Sequence, residues 1–92
     1  MELGTLLDKF NDEAFAQETM LRIGELGLIA KVNQVAAERG LAFGEVITHA
    51  VHSFTGHADS DHWMQLMSAI NRTDDPGAAA LKQMLEVALH RS

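Results

Sequence analysis

Ser60-Asp61-His62-Trp63-Met64-Gln65-Leu66-Met67-Ser68-Ala69-Ile70 is the stretch that decides the fold class. Trp63, Leu66, Met67 and Ile70 fall at i, i+3, i+4 and i+7, positions that share one face of an α-helix. A half-buried strand would alternate polar and apolar residues, and this stretch does not. Ser60, just ahead of the run, offers a hydroxyl for the N-cap.

The same period extends in both directions. Upstream, Phe43, Val46, Ile47, Ala50 and Phe54 form an amphipathic segment that Gly56 is expected to end. Before it, Leu28, Val32, Val35 and Ala36 form a stripe closed by Arg39, Gly40 and Leu41. That closure places a cation in the last turn, glycine at the left-handed cap and a hydrophobic residue beyond. Earlier still, Thr19, Met20, Ile23 and Leu26 continue a stripe from Phe15. Gly24 and Gly27 each weaken that helix by about 1 kcal/mol relative to alanine, so a break or a close helix contact is expected near Gly27. At the amino end, Leu3, Leu6, Leu7 and Phe10 repeat the pattern, and Thr5 with Asp8 is a loose capping-box variant. Asn11 or Asp12 can cap a second helix; the alternative is a first helix that runs through.

Downstream, Asn71 to Asp75 is polar, and Asp75 before Pro76 pairs a cap with proline at the first helical position. Leu81, Met84, Leu85, Val87, Ala88 and Leu89 then give the last helix an apolar arc well over the ~100° that one packed face requires. These segments predict an all-α protein, a compact bundle of about five short amphipathic helices in a single domain over residues 1–92. No repeat, low-complexity tract or dividing linker interrupts it.

Hydrophobic residues make up 47% of the chain and charged ones 22%, a balance that supports a packed core and excludes the disordered class. A domain this short buries only about 60–65% of its unfolded surface. Without cysteine it has neither disulfides nor thiolate metal sites, which leaves packing or a partner subunit to hold it. No apolar run reaches the roughly 18–20 residues of a spanning helix, and Glu2 follows Met1 in place of a basic signal region. A cytoplasmic protein without membrane attachment is therefore expected.

The net charge is −6, and residues 1–25 carry six acids against two bases. A solvated helix face is the ordinary reading of that acidic end, and a surface for a basic partner is the other. No Lys/Arg cluster supplies the face that phosphate neutralisation needs, so nucleic acid is not an expected partner.

Four histidines, His49, His52, His57 and His62, lie close together with Asp59 and Asp61. His49 and His52 share a helix face at i, i+3, and the following loop can bring Asp59, Asp61 or His62 toward a divalent metal. These six residues are the candidate metal ligands; exposed helix-end and loop histidines are the ordinary alternative. Ser53 and Ser60 lie near them, but a helix residue and a cap account for both hydroxyls. No enzymatic activity and no cofactor are expected. Gly24-Glu25-Leu26-Gly27 lacks the Lys-Ser/Thr and preceding strand of a phosphate-binding loop. Met20, Met64, Met67 and Met84 read first as core fillers and second as adaptable partner-binding surface.

Val35-Ala36-Ala37-Glu38-Arg39-Gly40-Leu41-Ala42-Phe43-Gly44-Glu45-Val46-Ile47 resembles a helix-turn-helix, with Ala36, Gly40 and Val46 at the matching positions. The resemblance implies a transcriptional regulator with its recognition helix at residues 44–54. That helix offers Glu45, Thr48, His49 and His52 and no lysine or arginine. Leu6-Leu7-Asp8-Lys9-Phe10, Phe15 and Val35 to Phe43 with Glu45 also resemble the short nitrogen-fixation-associated proteins whose homologues lead ribosomal peptide precursors. No Gly-Gly cleavage site or Cys/Ser/Thr-rich core follows, and residues 60–92 read as two helices. The second resemblance thus implies a peptide- or enzyme-docking helical module.

The leading functional expectation is a small protein-interaction or regulatory protein that binds another protein and itself. A helix-turn-helix regulator comes second and a histidine-based metal-binding protein third. Met84, Val87 and Leu89 on the last helix are the candidate partner-binding residues of a homodimer.

Overall fold

The computed structural model describes residues 3–90; Met1, Glu2, Arg91 and Ser92, with the side chains of Leu3 and His90, lie outside the described residues. Six helices take 84% of what is described, with no strand among them. They are α1 (Leu3–Lys9), α2 (Glu13–Ile23), α3 (Leu26–Arg39), α4 (Phe43–His57), α5 (Ser60–Asn71) and α6 (Pro76–His90). The sixth helix arises because the first does not run through. The Asp12 carboxylate accepts the N–H groups of Ala14 at 2.9 Å and Phe15 at 3.4 Å, which ends α1 and caps α2.

α2, α4 and α6 pack against one another, while α3 leans on α4 and α5 on α6. α4 is the hub: Val46, Ile47, Ala50, Val51 and Phe54 are all buried. α6 contributes Ala80, Leu81, Met84 and Leu85, and α2 contributes Ala16, Thr19 and Met20. Thr19 fits there because its hydroxyl donates to the Phe15 carbonyl at 2.8 Å, so burial does not orphan that hydroxyl. From α1, Leu6 and Phe10 enter the core, with the Phe10 ring 5.3 Å from that of Phe15. Trp63 meets Phe54 edge-on at 5.1 Å and ties α5 to α4.

Helix ends follow the sequence signals in some places and depart from them in others. Gly40 takes the left-handed conformation (φ 66°), and Leu41 N–H reaches back to the Ala36 carbonyl at 3.0 Å, the stop expected at Arg39-Gly40-Leu41. The earlier break falls at Gly24 (φ 66°) and not at Gly27, which sits inside α3 with open space around it. Leu26 is consequently 80% exposed and does not extend the α2 stripe. Gly56 does not end α4, which runs on to His57, because its backbone is not in the left-handed region that would close the helix. Asp59 and not Ser60 caps α5, its carboxylate accepting the His62 N–H at 2.9 Å. Thr5 lies within α1 and is no cap. Asp75 caps α6 as its place before Pro76 requires, accepting from Ala78 N–H at 3.2 Å.

Two ion pairs fasten the ends of these helices together. Arg22 at the end of α2 grips Asp75 with both Nε and Nη2, and Lys82 on α6 lies 3.2 Å from Glu25 at the start of α3. The α2–α4 crossing is close: a Cβ on Gly44 would stand 3.0 Å from Glu13 Cβ and 3.2 Å from its carbonyl oxygen.

Candidate functional site

The wide apolar arc of α6 is covered mostly from within the chain, because α2, α4 and α5 all pack on that helix. Met84 has no exposed surface and belongs to the core, so it is not available as a partner-binding residue in this fold. Val87 and Leu89 are only half-buried. With Leu28 of α3 they form the apolar part of a surface groove of about 730 Å³. Lys31 stands beside Leu28, His62 and Gln65 come from α5, and Gln83 and Glu86 rise from α6. Gln83 donates to Gln65 across the α5–α6 boundary at 3.4 Å. Nearby on α5, Met64 is 67% and Met67 44% exposed, while Met20 and Met84 fill the core. Two of these four methionines are thus core fillers and two are exposed.

The six candidate metal ligands are not brought together. Among the described residues no three His, Asp or Glu side chains converge as a metal ion needs. His52 turns to the α1–α2 junction, its Nε2 2.6 Å from Asn11 Oδ1. His57 sits roughly 140° around α4 from His52, given 3.6 residues per turn. His49 lines a different pocket, with Arg39 and Ser53. Asp59 is occupied as the cap of α5, and Asp61 lies on the outer side of that helix beside Met64 and Arg72. His62 Nδ1 is 3.1 Å from Asp59 Oδ1 without making a hydrogen bond to it, and the same oxygen accepts the His62 backbone N–H.

The helix-turn-helix segment does form a helix, a short turn and a second helix, in α3 and α4. α4 is nevertheless enclosed by α2, α3 and α6, with six of its fifteen residues buried. Glu45 is tied to the helix start, accepting the Ala42 N–H at 3.1 Å, and Thr48 bonds back to the Glu45 carbonyl at 3.0 Å. Its exposed residues, His49, His52, Ser53, Thr55, Gly56 and His57, include no lysine or arginine, whereas a reading helix needs cations to hold phosphate beside the groove.

The electrostatic perturbation that stands out lies away from the groove. The Arg22 guanidinium, and after it the Ala78 N–H, hold the Asp75 carboxyl below the usual carboxylate range, and Asp75 raises Arg22 in turn. Both side chains are nearly half exposed, and the pair is structural: it joins α2 to the cap of α6.

Leu28 read only as one member of the α3 stripe, and Lys31 and Glu86 carried no sequence signal of their own. They share a groove because α3 and α6 both pack on α4 while α5 packs on α6, an arrangement of elements far apart in the chain. Among the described residues no helix is long and apolar enough to cross a membrane. Comparison with protein-family models, curated proteins and solved structures gave no match to the chain.

Proposed function

We propose that this chain is a small helical interaction protein of regulatory or accessory type that works by binding protein, and that its first partner is a second copy of itself. The observation that carries the proposal is the groove between α3, α6 and α5, where Leu28, Val87 and Leu89 form an apolar strip left open to solvent. Recognition of a helix by such a groove is a recurring mode of protein docking. A twofold contact must be self-complementary, and the groove carries one acid and one base, Glu86 and Lys31, neither engaged in an ion pair among the described residues. Across a dyad each would face the other's opposite charge. The docking role is also what the resemblance to the nitrogen-fixation-associated proteins implies. A cytoplasmic setting, which a cysteine-free chain suits, completes the proposal; it includes no catalytic step and no cofactor.

Light scattering tests it. The wild type should give about twice 10.1 kDa, and Val87→Glu or Leu89→Glu a smaller species that remains helical. Lys31→Glu should weaken the dimer and the added Glu86→Lys should restore it, since the swap re-forms the pair in reverse. A wild type that stays monomeric at high micromolar concentration overturns self-association. The helix-turn-helix reading is not preferred, because His49 and His52 on α4 come with no lysine or arginine to hold phosphate.

A further inference from the structure

We propose that the pocket between α3, α4 and the end of α6 is a binding site for a small organic monocarboxylate with a short apolar chain. The pocket holds about 220 Å³, below the roughly 300 Å³ at which drug-sized ligands begin to fit. Its walls are apolar: Val35, Leu41, Val46, Ala50 and Leu89. Three exposed polar side chains edge it, Arg39 from the last turn of α3 and His49 and Ser53 from one face of α4.

Charge decides the class of ligand. The chain carries thirteen acids, yet among the described residues none lines this pocket. Four other surface depressions each include a carboxylate: Glu86, Asp61, Asp8 and Glu86 again. Arg39, His49 and Ser53 also make no side-chain hydrogen bond or ion pair among the described residues. The other cations are mostly committed: Arg22 to Asp75, Lys82 to Glu25, Arg72 to the Ser68 carbonyl, and Lys9 over the Phe15 ring. An arginine in a last helical turn is ordinarily explained by the helix dipole. That does not account for His49 and Ser53, one turn apart on a neighbouring helix, facing the same small space.

A carboxylate matches what these groups offer. The planar guanidinium can donate two parallel N–H bonds to its two oxygens, and the imidazole N–H and the Ser53 hydroxyl can donate to the remaining lone pairs. The hydrocarbon part then lies against Val46 and Leu41, where it displaces water from apolar surface. Leu89 is the one residue this pocket shares with the groove, and Arg39, His49 and Ser53 lie outside the groove.

The test is titration of the isotopically labelled full chain with sodium hexanoate, read by backbone amide chemical shifts, against hexanamide as the uncharged analogue. Hexanoate should shift the amides of Arg39, Leu41, His49 and Ser53 saturably, and hexanamide should leave them in place. Arg39→Gln should weaken binding by about tenfold or more, the usual loss for a hydrogen bond to a charged group. Ser53→Leu, an exposed helix position where the larger side chain closes the rim, should abolish it. The variants' otherwise unchanged spectra would show that they are folded. Shifts that grow linearly through about 50 mM, far past the affinity of a ligand this size, overturn the proposal. So do equal shifts from hexanamide, or binding indifferent to Arg39→Gln.

Discussion

Arg22 and Asp75, 53 residues apart in the chain, meet with Nε 3.1 Å from Oδ2 and Nη2 3.1 Å from Oδ1. The same carboxylate caps α6. Asp75→Asn keeps a capping side chain and loses the ion pair, and should cost about 0.2–1 kcal/mol, the range for an exposed pair. Asp75→Ala removes the cap as well and should cost about 1–2 kcal/mol. Because the folded-state pKa of Asp75 is depressed, its contribution is fully present above the unfolded value near pH 4 and is lost as pH falls through the lower folded value. Denaturant titrations across that acid range should show wild type and Asp75→Asn converging as pH drops.

Gly44 and Gly56 lie in the same helix and should respond oppositely to alanine. At Gly44 the new methyl would meet Glu13 Cβ at 3.0 Å and its backbone oxygen at 3.2 Å, neither of them the free end of a side chain. Overpacking of about 1–3 kcal/mol outweighs the gain of about 1 kcal/mol in helix propensity. Gly56 has nothing within 4 Å and sits in helical backbone, so Gly56→Ala should stabilise by about 0.5–1 kcal/mol. A thermal melt that raises Gly44→Ala would contradict the packing at the α2–α4 crossing, and one that lowers Gly56→Ala would contradict the open space around Gly56.

Met84 and Val87 are three residues apart on α6 and belong to different environments. Met84→Ala opens a cavity in the core and should cost about 2–5 kcal/mol in chemical denaturation. Val87→Ala trims a half-buried groove residue, and at a concentration where the chain is monomeric should cost about 1 kcal/mol or less. Similar losses for the two would mean that the groove is filled.

The dispersed histidines make a prediction about metal. Zinc or nickel in slight excess should leave the melting temperature essentially unchanged, since no three candidate ligands converge among the described residues. A site occupied at a hundred times its Kd would add about 2.7 kcal/mol and raise the melting temperature by roughly 10–20 °C. His52→Ala should alter stability through its bond to Asn11 alone, with or without metal.

What the sequence determined by itself is the helical class and much of the helix punctuation. Trp63, Leu66 and Ile70 repeat at helical spacing whatever they pack on, and the glycine at position 40 and the Asp75-Pro76 step act within a few residues of themselves. Local physics sufficed because caps and periodicity involve neighbours in the chain. Where it fell short, two local solutions competed: Asp59 took the cap that Ser60 also offered, and Gly24 took the break that Gly27 also offered. Tertiary structure alone decided how much of the α6 arc stays open. Met84 and Val87 look alike on the sequence, and their difference comes from α2, α4 and α5 closing around one side of the helix. It likewise decided that His49 and His52, paired by spacing, go separate ways, one to Asn11 and the other not. Burial and side-chain partnership depend on contacts between residues far apart in the chain, and no spacing rule encodes which helices stand side by side.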